Sequence, residues 1–208
     1  MTIENIHLNY EIISKVIDNN SSILDLGCGE GVLLDKLVTT KNCKGIGIEI
    51  DQDQVIKSLE KGLSVIQGNI DEGLKEFQEK QWDWVILNQT LQSTVKPDYV
   101  IDEMLRVGKK IIISFPNFAY YKIRLFLMLQ GKMPKSKVLP FEWYNTPNIH
   151  LLTINDFYEF AKTRDIEIID QIFLSKGKEH RILSHRKYTK NIANLLSEEV
   201  IFICSKDK

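Results

Sequence analysis

The residues best able to do chemistry stand in one run, Ile23-Leu24-Asp25-Leu26-Gly27-Cys28-Gly29-Glu30-Gly31. An apolar stretch enters three alternating glycines, and helix-forming sequence follows. Glycine lets a backbone approach a ligand closely and take positive φ without a Cβ penalty. Gly27, Gly29 and Gly31, with Cys28 between them, therefore read as a turn that offers main chain to a bound molecule. Asp25 brings a carboxylate to the same place, two residues before the first glycine. A second carboxylate, Glu49, closes the run Gly45 to Ile50, 18 residues after Gly31. An acid at that distance can accept both hydroxyls of a ribose. Such charge-assisted hydrogen bonds contribute about 1.5–3 kcal/mol each.

Three readings of the loop compete. A dinucleotide loop follows the pattern G-x-G-x-x-G and turns a helix N-terminus toward pyrophosphate. Here the spacing is G-x-G-x-G, with Asp25 before it and Glu30 inside it. Two carboxylates would repel a pyrophosphate and would suit a cationic ligand. S-adenosylmethionine, with its sulfonium and its ammonium, or its product S-adenosylhomocysteine, fits better. The third reading is a turn of purely structural use.

Other residues join the candidate site on weaker grounds. Ile50 stands beside Glu49 at the end of the second apolar run. Asn69 follows the third run, where its amide can pair with adenine; it also reads as an ordinary turn asparagine. Ile70 can pack on a purine ring or in the core. Asn88-Gln89 ends the fourth run and faces the same crevice, or is simply polar loop. His150 is the best candidate for a base, because its pKa lies near neutrality; fixing a loop by hydrogen bonds explains it equally well. Tyr120, Tyr121, Trp143 and Tyr144 suit an acceptor pocket, an apolar lid or a partner surface.

The elements that must position these residues alternate in type. Short apolar runs at Ser22–Leu26, Gly45–Ile50, Leu63–Gln67, Asp83–Leu87 and Lys109–Phe115 read as strands, with helical sequence at 30–38, 52–61 and 98–107 between them. A helix over 6–18 precedes them. Alternation at this spacing predicts βαβ units and a parallel sheet covered on both faces, which is why the strands are continuously apolar. Two further strands, Ile166–Leu174 and Val200–Cys204, complete seven. The expected architecture is a doubly wound, mostly parallel seven-stranded α/β sheet forming one domain over residues 1–208. Ligands of such sheets sit beyond the carboxyl ends of the strands, where the loop lies.

Between the fifth strand and a helix at 154–164, the pattern breaks. Residues 117–152 are rich in aromatics and carry Pro134, Pro140 and Pro147. A helix over 119–129 and then an irregular insertion are expected, with Thr153 or Asn155 capping the next helix. The stretch 175–197 reads as polar loop with some helix.

Composition narrows the classes. With 208 residues, 43% hydrophobic and 26% charged, the chain can bury a sizeable core. A net charge of -1 selects neither nucleic acid nor an anionic membrane. Two basic stretches, Lys122 to Lys137 and Lys176 to Lys190, read as solvated surface; RNA phosphate is the alternative. Cys28, Cys43 and Cys204 are odd in number and widely spaced, which opposes a disulfide framework or zinc site and fits a cytoplasmic protein. No signal peptide or transmembrane run is legible.

These residues resemble the class I S-adenosylmethionine-dependent methyltransferases. ILDLGCGEG is similar to their first motif and GIGIEID to their ribose-binding acid. Where that superfamily usually carries an aspartate, Asn69 keeps an acceptor and drops the charge. The segments VIQGNIDEGL, WDWVILNQTLQ, EMLRVGKKIIISFPNF, GKMP and LPFEWYNTPNIHLLT resemble, more closely, the MetW family of methionine-biosynthesis proteins. That resemblance implies methionine biosynthesis, an adenosine ligand and association with homoserine O-acyltransferase. It supplies no methyl acceptor.

Overall fold

The computed structural model describes residues 3–136, 139–180 and 187–206. Its centre is β1 (Ser22–Leu26), the apolar run before the glycines. β1 pairs in parallel with β2 (Lys44–Glu49) on one side and with β4 (Trp82–Asn88) on the other. β3 (Ser64–Gln67) extends the β2 side, and β5 (Gly108–Pro116) extends the β4 side, both in parallel. The chain therefore runs outward from β1 to β3 and returns to β4, leaving a crevice between β1 and β4.

Beyond β5 the direction changes. β8 (Glu199–Ser205) inserts antiparallel between β5 and β6 (Glu167–Ser175). The order is β3-β2-β1-β4-β5-β8-β6-β7, eight strands among the described residues where seven were expected. The extra one, β7 (Lys178–His180), lies in the stretch expected to be loop. It forms a hairpin with β6 through Lys176 and Gly177, both at positive φ, 52° and 70°. Such φ values suit the tight turns that match strand twist.

The described residues form the α-helices α1 (Ile3–Val16), α2 (Val32–Lys41), α3 (Gln52–Glu60), α4 (Pro97–Val107), α5 (Tyr121–Gln130), α6 (Ile154–Thr163) and α7 (Lys187–Leu196), of which α5 stands apart from the clusters on the sheet. Strand side chains alternate between two apolar clusters. Val85, Leu87, Ile111 and Ile113 join Met104 of α4 and Phe157 of α6. Trp84, Ile86 and Ile112 join Ile13 of α1 and Leu34 of α2 on the opposite face. Burying both faces fixes the sheet and hence the height of every strand end. Thr153 and Asp156 form a reciprocal cap on α6. From 131 to 153 the described chain has neither helix nor strand.

Candidate functional site

The chain leaves β1 and turns at once. Gly27, Gly29 and Gly31 have φ of 68°, 57° and 71°, which L side chains rarely adopt. A Cβ on Gly31 would overlap the Leu63 side chain. The turn is fastened from β2. The N–H groups of Gly27 and Cys28 donate to the Ile48 carbonyl, at 2.8 and 3.2 Å. Glu49 completes the fastening: one carboxylate oxygen accepts from Gly29 N at 2.8 Å, and the other accepts from Ile50 N and Asp51 N at 2.9 and 3.0 Å. Ser58 of α3 donates to the Gly29 carbonyl at 3.0 Å.

A cavity of about 430 Å³ opens against the turn. Asp25, Gly27, Cys28, Gly29 and Asn88 line it from the sheet side, and Tyr10, Val32, Leu33 and Gln54 line it from α1, α2 and α3. Asp25 lies opposite Gly47 of β2 and Ile86 of β4, at the switch in strand order. It is only 3% exposed, and no hydrogen bond or ion pair among the described residues meets its carboxylate. Burial first, and then the negative Glu49, push its pKa up to about 7. The Cys28 thiol is pushed up to about 12 by burial, then by Asp25 and Glu49, so it stays neutral. The Tyr10 phenol rises to about 12, again by burial and then Asp25. The cavity thus holds a buried acid with no cation beside it among the described residues. Glu30 differs: Lys57 meets it at 2.6 Å and lowers its pKa. Negative charge at the turn therefore comes from Asp25 and Glu49, and Glu30, paired with Lys57, adds little.

Of the remaining sequence candidates, Asn88 reaches the cavity wall and the others lie at neighbouring strand ends outside it. Ile50, after β2, is 64% exposed. Asn69 accepts from Asp71 N at 3.0 Å and caps the short 3-10 turn Ile70–Glu72. Ile70 is half-buried against the core. Asn88 accepts from Ser114 Oγ at 2.6 Å. Gly31 and Glu49 support the turn without lining the cavity. Tyr10 and Gln54 line it and escaped the sequence reading. A tyrosine on the first helix and a glutamine on the third carry no local mark of their destination.

His150 is exposed and does not line the cavity; its N–H and that of Ile149 donate to the Gln92 carbonyl, at 3.0 and 2.9 Å. Tyr120 is buried with Ile123 and Leu139, while Trp143 and Tyr144 are exposed and meet edge to face at 5.6 Å. Of the basic residues, Lys137, Arg181, His185 and Arg186 lie outside the described residues, as do the side chains of Lys187 and Lys190. Among the described residues no group of three His, Cys, Asp or Glu could hold a metal, and no helix is long and apolar enough to cross a membrane. The three cysteines are buried and free.

Comparison with known proteins adds the context. The bifunctional methionine biosynthesis protein MetXA/MetW of Rhodopirellula baltica is 35% identical over 186 residues. That match takes in 85% of this chain, and the chain spans 30% of the length of that relative. Solved structures show the same fold. One is a Thermotoga maritima S-adenosylmethionine-dependent methyltransferase, a possible histamine N-methyltransferase, with a TM-score of 0.66 at 13% identity over 98% of this chain and 91% of that one. Another is the Haloferax volcanii complex of the Trm112 methyltransferase activator with a putative methyltransferase, with a TM-score of 0.67 at 13% identity over 99% and 92%. At such identities the likeness is one of fold. The model of the methionine biosynthesis protein MetW matches residues 7–204, nearly the whole chain, and with the 35% identical relative it places this protein in the MetW family.

Proposed function

We propose that this chain binds S-adenosylmethionine or S-adenosylhomocysteine and serves methionine biosynthesis together with a homoserine O-acyltransferase, in the cytoplasm. The observation that carries the reading is Asp25, a buried carboxylate with no cation among the described residues, set in a cavity walled by positive-φ glycines. Leaving such a group unmet is costly, and a ligand cation relieves the cost. A sulfonium or an ammonium supplies one. Glu49, held at the β2 end beside Gly29, has acceptor capacity left for a ribose after three backbone donors. Exposed Ile50 and the Asn69–Ile70 turn offer an apolar and an amide surface for adenine.

Binding without turnover is the favoured role. Methyl transfer from a sulfonium is an in-line displacement in which positioning supplies much of the rate. An acceptor that must lose a proton still needs a base. In the cavity, Tyr10 and Cys28 are held protonated, and a cation beside Asp25 would lower its basicity. The partner reading draws on the relative whose name joins MetXA and MetW. Calorimetry with either ligand, and co-purification with the acyltransferase with and without ligand, test the proposal. Binding of the ligand and of the partner supports it. No heat and no thermal shift at millimolar ligand would sink the adenosine reading; turnover on some acceptor without partner association would make the chain an enzyme.

A further inference from the structure

The ligand cavity leaves α5 without a role. Nine of its ten residues are exposed, and only Ile123 is buried. That one contact belongs to a small cluster with Tyr120 and Leu139, apart from the clusters that flank the sheet. No helix or strand among the described residues packs extensively along α5. A helix this short is marginal in water by itself and normally gains its stability by burying an apolar face. Here the apolar residues face solvent. Leu125 to Leu129 are five consecutive apolar residues, each turned by about 100° from the last, so every side of the helix presents one. Met128 is 73% exposed. A helix apolar all round belongs inside something.

The charges around it point one way. Lys122, Arg124, Lys132 and Lys135 flank the apolar run, and no acid stands between 122 and 137. Lys135 is met by Glu142 at 2.7 Å, which ties the exposed Trp143–Tyr144 pair to the chain leaving α5. Lys122 and Lys132 enter no ion pair among the described residues, and Arg124 meets only the Ala119 carbonyl.

We infer that α5 docks in an apolar groove of a partner protein whose rim is acidic. Two other occupants fit worse. A second copy across a two-fold axis would set Lys122, Arg124 and Lys132 against the same residues of its mate, and like charges oppose such an interface. A membrane surface takes one side of an interfacial helix and leaves a polar side in water, and α5 has no polar side. A groove surrounds a helix and accepts apolar anchors on several sides. The identity of the partner rests on the acyltransferase reading above; the helix and the charge of the groove rest on α5 itself.

The test mixes the full chain with the purified homoserine O-acyltransferase of the same organism. Complex formation is followed by gel filtration with light scattering, and affinity by surface resonance. Two variants are compared with the parent: Phe126→Ser with Met128→Ser, and Lys122→Glu with Arg124→Glu. Both pairs are expected to weaken association at least about thirtyfold, the scale of a hot-spot residue, with S-adenosylhomocysteine affinity unchanged as proof of folding. If the parent complex forms and both variants bind within threefold of it, the docking inference is wrong and the partner reading survives. If the parent forms no complex, the partner reading fails and takes the inference with it. Self-association, or flotation with phosphatidylcholine–phosphatidylglycerol vesicles, that the Phe126→Ser and Met128→Ser pair abolishes would overturn the inference in favour of a second copy or a membrane.

Discussion

If the proposed cationic ligand binds beside Asp25, its binding is a proton-linked event. The Asp25 carboxyl, held near pH 7 by burial and by Glu49, must be ionised to meet a cation. Below about pH 7 each ligand bound therefore displaces a proton, and affinity for S-adenosylmethionine should fall by up to about tenfold per pH unit, while above it the profile is level. Calorimetry from pH 5.5 to 8, in buffers of different ionisation enthalpy, reads this directly. A flat profile without proton release would detach Asp25 from the ligand. The same group burdens the free protein. Its folded-state pKa is raised from the ordinary 3.8, so the folded chain holds a proton that the unfolded chain has released. Stability consequently falls as pH rises from about 4 to about 7 and stays lower above that window. Asp25→Asn should raise the melting temperature at pH 8 by at least about 3 °C, since 1 kcal/mol is worth roughly 2–4 °C in a chain of this size. The same substitution should lose most affinity for the sulfonium ligand. Glu49 is graded differently, because its three backbone donors make it a fastener of the turn. Glu49→Ala should cost at least about tenfold to a hundredfold in affinity, from one or two charged hydrogen bonds and a loosened Gly29. Gly29→Val should be worse, since its φ is 57° and a Cβ there already stands 3.1 Å from Gln54 Oε1. We expect folded protein by circular dichroism with binding abolished; normal binding would disprove close approach at Gly29.

At the scale of elements, the strands that position the site were legible and the ones far from it less so. β1, β2 and β4 are short, apolar and bounded by glycine or polar residues, so periodicity and length identify them. β7 escaped because Lys178, Glu179 and His180 are all exposed and show no alternation; its only mark is the Lys176-Gly177 turn. The reversal of β8 also left no trace, because a strand buried on both faces reads alike in either direction. Within the site, types and spacing reveal what lies within a few residues of the turn, namely Asp25, the glycines and Glu49. They do not reveal that Glu30 is neutralised from α3 or that Tyr10 arrives from α1, since both depend on how helices cross the sheet. The α6 cap was legible to within two residues, since Thr153 and Asn155 both suit that place; the reciprocal bonding with Asp156 singles out Thr153. Thr153→Ala removes the Oγ1 that accepts from Asp156 N at 3.2 Å, while the backbone N–H at 153 can still donate to Asp156 as it does at 2.8 Å; the loss should cost about 1 kcal/mol, a melting temperature lower by roughly 2–4 °C. An unchanged melt would mean the helix end is stabilised by packing alone.

For the molecule as a whole, two apolar clusters lie back to back on one sheet, and the parts proposed to meet other molecules are attached to one edge of it. The strand ends hold the cavity. The chain leaving β5 carries α5, and the segment after it returns to the strand ends through Ile149 and His150, whose N–H groups share the Gln92 carbonyl. Gln92 in turn donates to the Gln89 carbonyl, next to Asn88 of the cavity. The proposed ligand cavity and the inferred docking helix thus lie on neighbouring stretches of one edge. The bare flank of α5 also bears on how much of this protein a cell can keep. Phe126, Met128 and Leu129, held out in water, are the kind of surface that chaperones bind and proteases search for in damaged chains. A copy whose helix is covered escapes that surveillance, and a surplus copy does not. If α5 docks as inferred, the amount that persists follows the supply of the partner as well as the protein's own synthesis.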